Sequence, residues 1–520
     1  MPTRESLRAE RSSAPTRLTR APLLCLAAVL VACTAPAQDP APPVGPPSKR
    51  RGINLSKACH YSREVPFADV FKLSGPWIHQ RQGSTSPWKL KQPLEQTADG
   101  WPVLAEGNAA ATILLRGLAG KYPAGDYVCT WSGSGRLSAD WDGSASGDDG
   151  RMVISVNPSD QGILLKIEEQ DADDPVRDVH VWLPGYEDGE RVWNQAFLDA
   201  LRPFGTIRFM DWLRTNNSPV VEWEARTLPS HRTQDTEHGV AYEHVIALCN
   251  ELDADLWLCL PHQANEGFLA GAAALVAEQL EPELRVYLEY SNEVWNGMFR
   301  QRKWVEANTP GAGFAGQYAQ RCKQAFAAFA KALPKERLVR VVATQGANVS
   351  YTKQLVAEFA EGEADALSPA FYVGLSQQQV KAIDPDASGA QVVALLDEAL
   401  PKRAAALQQV AALAGSKGLA MIAYEGGQHL VNYDKQAANR PALVRAQNTP
   451  EMERVYAEIH RRWLELGGGL FCAYSLATAQ DARSGSWGHL DSVFDAPQDS
   501  AKYRALLRWW GEDAPKDGEK

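Results

Sequence analysis

From Thr206 onward the chain repeats one rhythm, a short apolar run followed by a longer amphipathic one. This repetition constrains the fold more than any other feature. The strand-like runs are Thr206 to Trp212, Asp255 to Pro261, Leu284 to Ser291, Leu338 to Thr344, Ala366 to Phe371, Leu419 to Tyr424 and Leu470 to Ser475. Each leads to a helix-like segment, such as Glu266 to Leu280, Ala390 to Ala414 or Pro450 to Leu466. The runs are continuously apolar, as strands covered on both faces should be. With Gly52 to Leu55 as the first strand, the count is eight. That is the order of a closed (β/α)8 barrel, an α/β fold. A doubly wound open sheet is the competing architecture, but it predicts a Gly-rich phosphate turn after an early strand, and none is present.

Between the first strand and the rest the texture changes. From about Trp88 to Pro184 short strand-like runs alternate with Gly, Asp and Ser turns. That spacing predicts a small all-β module inserted after the first strand. The expected organisation is an export segment over 1–37, a Pro-rich tether over 38–50 and a barrel built from 51–87 and 185–511. The β-sandwich-like module occupies 88–184, and a polar tail covers 512–520. Asp140, Asp142, Asp148 and Asp149 crowd one loop of the module; their spacing matches no EF-hand and reads as a solvated turn.

The first 37 residues combine a basic lead (Arg4, Arg8, Arg11, Arg17, Arg20) with an apolar run, Ala21 to Ala32, too short to span a bilayer. Leu30-Val31-Ala32-Cys33 resembles a bacterial lipoprotein signal, with Cys33 as the lipidated terminus. Ala35-Pro36-Ala37 is the competing cleavage site. Either reading predicts export, to the periplasm, the cell surface or the medium, with the membrane engaged only through a lipid at Cys33. The formal charge of −10 argues against a nucleic-acid partner. The remaining six cysteines show no CxxC or Cys/His ligand spacing, so neither a zinc site nor a disulfide scaffold is indicated. Trp (16) outnumbers Tyr (15) and Phe (14), which suits a protein that stacks flat sugar faces.

In such barrels the site forms at the C-terminal strand ends. Those positions here are Arg208 to Trp212 with Asn216 and Asn217, then Pro261-His262-Gln263, Asn292-Glu293 with Trp295, Phe371-Tyr372, Tyr424 to His429, and Ser486-Trp487. Glu293 after the fourth strand and Glu425 after the seventh stand nearly opposite across a barrel mouth. If the fourth strand runs to Ser291, Tyr287, Glu289, Ser291 and Glu293 share one face. Paired carboxyls facing across a mouth are what glycoside hydrolysis requires. About 5–5.5 Å between them gives a covalent, retaining route and roughly 6.5–9.5 Å an inverting one.

Asn292-Glu293 closing the fourth strand and Glu425 closing the seventh resemble the clan A retaining glycoside hydrolases. The resemblance covers the barrel and not the β-module, and assigns no family within the clan. It implies Glu293 as acid/base, Glu425 as nucleophile, Asn292 on the hydroxyl beside the reacting carbon, and Tyr372 bonded to the nucleophile. His262 and Arg208 match polar positions of the third and second strands. The clan's Trp ending the eighth strand is absent here (Ala473-Tyr474-Ser475), which leaves the floor of the central subsite open, with Trp487 a candidate substitute from the loop.

Read from the residues alone, Asp211 is either a sugar-hydroxyl acceptor or a loop cap, and His262 either a sugar contact or structural. Trp212, Trp295 and Trp487 are each either platforms or packing, and Arg208 either lines the site or neutralises Glu289. Asn217 is read as a loop contact to substrate. Gly426-Gly427 suits close approach to a ligand, and Glu425 is expected to stay ionised while Glu293 is raised. No metal or organic cofactor is implied. The expected function is an exported retaining glycoside hydrolase acting on a poly- or oligosaccharide. The alternatives are a non-catalytic glycan-binding surface lipoprotein and a transglycosylase using the same carboxylates.

Overall fold

The computed structural model describes residues 49–509 apart from residues 312 and 435. The export segment with Cys33, the tether as far as residue 48 and the polar tail 512–520 lie outside the described residues.

Eight parallel strands form one curled sheet. In chain order they are Arg51–Asn54, Thr206–Arg208, Asp255–Cys259, Val286–Glu289, Leu338–Thr344, Ala366–Pro369, Ala420–Met421 and Phe471–Ala473. The first strand pairs with both the second and the eighth, in register Gly52 with Thr206 and Gly52 with Cys472. The seventh runs on to a parallel bridge between Ala423 and Phe471, which joins it to the eighth. Alternation explains why these runs read as wholly apolar. Leu256 and Leu258 face the surrounding helices, while Trp257 and Cys259 face the inside of the curl. Leu338 and Val342 likewise face the helices, and Val339, Val341 and Ala343 face inward. Helices such as Glu266–Gln279, Phe314–Ala330 and Gly389–Ser416 cover the outer face.

A second sheet of eight antiparallel strands, from Ile78–Arg81 to Arg177–Trp182, lies in the chain between the first and second parallel strands. It contains two strands the sequence reading passed over, Ile78–Arg81 and Gly143–Gly147; the latter, rich in Gly and Ser, carries no strand pattern. Its own core includes Tyr127, Trp131, Ile154 and Ile167. Arg63 and Lys121 pair with Asp491 at 2.9 and 2.7 Å, tying this region to the loop after the eighth parallel strand. In the acidic loop, Asp142 is buried and accepts from the Tyr122 hydroxyl (2.6 Å) and the Ser159 and Gly162 amides, so its oxygens are occupied by protein donors. The six described cysteines are buried and unpaired with one another. Among the described residues no helix is long and apolar enough to cross a membrane.

Strand ends are where the sequence reading needs correction. The fourth strand stops at Glu289, not Ser291, and the second at Arg208, not Trp212. Beyond Glu289, Ser291 and Glu293 adopt left-handed backbone (φ +59° and +40°). Simple alternation therefore carries Tyr287 and Glu289 inward but does not reach Glu293.

Candidate active site

Arg208 is the hub. It closes the second strand, is wholly buried, and spends its guanidinium on four side chains. Nε donates to Glu289 (3.0 Å), and one terminal nitrogen donates to Asn54 (2.9 Å) and Glu425 (2.8 Å). The other reaches Asn292 at 2.7 Å. Its planar fork suits this work, because several donors leave in fixed directions from one rigid group. Asn54 is fixed in turn by donating to the Tyr424 carbonyl at 3.0 Å. Of the two readings of Arg208, the pairing with Glu289 is present; Arg208 does not line the cavity, but it also binds Glu425. Glu289 is held further by the Trp257 indole N–H at 2.8 Å.

Glu425 leaves the seventh strand beside Arg208 and is almost fully buried (6% exposed). Its second oxygen accepts from the Tyr372 hydroxyl at 2.9 Å. Burial pushes the carboxyl up to about 8, raised further by the nearby Glu293 charge and opposed by Arg208 and Tyr372. The expectation that Glu425 stays ionised is thus opposed by desolvation that the sequence does not display. Its two donors, one on each oxygen, work the other way. The glycines after it do not face a ligand. A Cβ at Gly426 would lie 2.2 Å from the Phe471 ring, and one at Gly427 would lie 2.7 Å from the Tyr456 hydroxyl. They let the backbone pass between protein side chains.

Glu293 is half-buried, and its oxygens accept from the Tyr424 hydroxyl (2.9 Å) and the Asn296 amide (3.0 Å). Its left-handed backbone is sustained by its neighbours: Gln301 donates to the Asn292 carbonyl at 2.8 Å, and Asn296 N–H closes a turn onto Glu293 at 2.8 Å. Such conformations cost of the order of 1–3 kcal/mol and tend to mark working sites. Asn292 is buried, with its oxygen on Arg208 and its amide on Asn216 (3.1 Å).

A cavity of about 460 Å³ opens over these groups, lined by Glu293, Trp295, Tyr372, Tyr424, Arg403 and His429 among others. Trp295 stands edge-on to Tyr424. Trp487 is half-buried and adjoins this lining without being part of it, its ring edge-on to the lining residues Tyr372 and His429 and to Tyr474 at 5.2–5.8 Å. Tyr474 follows the eighth strand, and its hydroxyl donates to Asp211 at 2.7 Å. Burial raises the Asp211 carboxyl, with Tyr474 and Arg208 opposing.

Three expected substrate contacts are placed elsewhere. Trp212 is 1% exposed and packs among Phe67, Trp193, Phe197 and Phe209, so it is core rather than platform. Asn217 takes φ +59°, and its side chain accepts from the Arg300 amide at 2.7 Å, pinning the start of the helix Arg300–Asn308. His262 is buried against Trp304 and is not part of the cavity lining. Burial and the nearby Arg321 and Arg300 push it down to about 4. Asn54 takes part without having been singled out, and Asn216, Tyr474 and His429, which stand among the strand-end positions, take part without an assigned role. Their one sequence signal is polarity at a strand end, which these residues share with many others.

No family model and no curated protein matches the chain. Among solved structures it is similar to the GH51 arabinofuranosidase from Xanthomonas axonopodis pv. citri at 13% identity and TM-score 0.42, over 61% of this chain and 66% of that one. It is similar to the α-L-arabinofuranosidase from Thermotoga maritima at 14% and 0.39, over 60% and 62%. It is also similar to xylanase10C from Cellvibrio japonicus at 11% and 0.39, over 84% and 98%. The chain thus spans less than two thirds of the length of the two arabinofuranosidases.

Proposed function

We propose that this chain is an exported retaining glycoside hydrolase whose catalytic unit is the (β/α)8 barrel, with the antiparallel sheet inserted as a module after its first strand. The observation that carries the reading is the linkage of two carboxyls through one short segment. Tyr424 binds Glu293, and the next residue, Glu425, is gripped by Arg208 and Tyr372. Glu425 attacks the anomeric carbon while Glu293 gives its proton to the departing glycosidic oxygen, and the carbon–oxygen bond to the leaving group breaks. Glu293 then takes a proton from water, whose oxygen displaces Glu425 from the sugar. A second sugar in place of water makes the same sequence a transglycosylation. Positive charge developing on the sugar favours the carboxylate form of Glu425 against its burial. Trp295, Trp487 and Tyr474 are the sugar platforms of this reading, and Asn292 and Asp211 its hydroxyl contacts.

One observation favours the non-catalytic glycan-binding alternative: Glu425 lies beneath the cavity wall rather than in it. Assay of the purified protein on a panel of polysaccharides, beside Glu293→Gln and Glu425→Gln, separates the two. The hydrolase reading expects cleavage of at least one glycan by the wild type and its loss in both variants. Binding without cleavage by any of the three proteins selects the alternative.

A further inference from the structure

A buried lysine far along the chain is bound to the segment that carries Trp487. Lys502 opens the last described helix, Ala501–Trp509, and is 1% exposed. Its ammonium donates to the Ser486 carbonyl at 2.8 Å and to the Gln447 side chain at 3.1 Å. The Ser486 carbonyl accepts a second bond, from the Gln428 amide at 2.9 Å. Gln428 lies three residues past Glu425 and is itself buried, with its oxygen taken by the Leu430 amide at 2.7 Å. One carbonyl is therefore clamped from two sides, and the next residue is Trp487. The indole rests on Gly485, where a Cβ would come within 2.0 Å of the ring, and donates to the Ser484 carbonyl at 2.7 Å. Its carbonyl accepts from the Ser475 amide at 3.1 Å, so the loop is tied to the end of the eighth strand.

Both acceptors of Lys502 are neutral, an expensive environment for a buried cation. Burial pushes it down to about 7, with Asp491 opposing. A neutral apolar side chain would fill the space at lower cost, so the lysine's two directed bonds are the reason to look for a role.

We propose that Lys502, with Gln428, is a positioning residue that sets the Trp487 ring against Tyr372, His429 and Tyr474 and so shapes the sugar platform. This rests on the glycosidase reading for its effect on turnover, though not for its effect on the ring.

The test therefore has two readouts on the full chain. In protein labelled with 5-fluorotryptophan, the Trp487 fluorine resonance is assigned with Trp487→Phe. Lys502→Met is expected to shift and broaden that resonance while leaving Trp131, in the antiparallel sheet, unmoved. On a cleaved glycan, Lys502→Met is expected to raise KM about tenfold with kcat within about twofold. In a Trp487→Ala background the same substitution should add nothing, because the two changes act through one group. Gln428→Met removes the other donor and should reproduce the pattern if Lys502→Met does not fold. An unmoved Trp487 resonance, or an equal KM increase in both backgrounds, overturns the proposal. If no glycan is cleaved by the wild type, the glycosidase reading fails, while the resonance still decides the positioning role.

Discussion

The hydroxyl of Tyr424 donates to Glu293 at 2.9 Å, so the residue immediately before one candidate carboxyl holds the other. Any shift of the seventh strand's end therefore moves both acids together. Tyr424 is itself fixed from below, through the bond between its carbonyl and Asn54 and the Arg208 guanidinium 5.1 Å from its ring centre.

Tyr424→Phe should lower kcat about tenfold with KM nearly unchanged. Glu293 would keep its Asn296 bond but lose the one that aims it, and aimed proton transfer is worth roughly 10²–10⁴-fold. Steady-state kinetics on a cleaved glycan check this. A raised KM at constant kcat would make Tyr424 a wall of the cavity and nothing more.

Tyr372→Phe should move the acid limb of the kcat/KM profile to higher pH. The Tyr372 hydroxyl favours the Glu425 carboxylate, so its loss raises a pKa that burial already holds at about 8. A smaller fraction of Glu425 is then ionised at each pH, and activity is lost first on the acid side. An acid limb that stays in place would remove Glu425 from the nucleophile's role.

Much of this molecule was legible in its sequence. Strands buried on both faces announce themselves as apolar runs, and Leu338 to Thr344 matches to the residue. The pairing of Arg208 with Glu289 was one of two alternatives that the sequence left open for this arginine, and it is present. What could not be read were the departures from regular backbone. The left-handed Ser291 and Glu293 break the alternation that was to aim the acid. For Trp212 the choice between platform and packing falls to packing, because its strand ends at Arg208, after which the chain turns it into the core. Composition distinguishes neither a platform indole from a buried one nor a ligand-facing glycine from one that makes room for Phe471.

Trp212→Ala should destabilise the protein by about 3–5 kcal/mol, the usual cost of emptying a large buried aromatic site. Phe67, Trp193, Phe197 and Phe209 would line the resulting void. Denaturant unfolding measures the loss. Substrate KM should stay at the wild-type value, and a large KM change without loss of stability would return Trp212 to the site.

Stability itself should depend on pH through Glu425. Its folded pKa, about 8, lies above the ordinary value of 4.5, so between these values the native state holds a proton that the unfolded chain releases. The contribution is complete below about pH 4.5 and is lost as pH rises through 8. Glu64, buried and bonded to the Ser56 amide at 2.8 Å, is also raised to about 8 and acts in the same window. Buried His262, held down at about 4, and His460 and His489, held down at about 3, gain stability as pH rises through 6.5, so the Glu425 loss is read as a difference between two proteins and not from the wild-type Tm alone. Glu425→Gln removes this titration while leaving Glu64 and the histidines in place, so between pH 5 and pH 8 the variant's Tm should rise more, or fall less, than the wild type's. The comparison is of slopes, because the substitution also alters the partner of Arg208 and shifts Tm at every pH. Parallel slopes would mean that Glu425 is already ionised at pH 5, with Arg208 and Tyr372 outweighing burial.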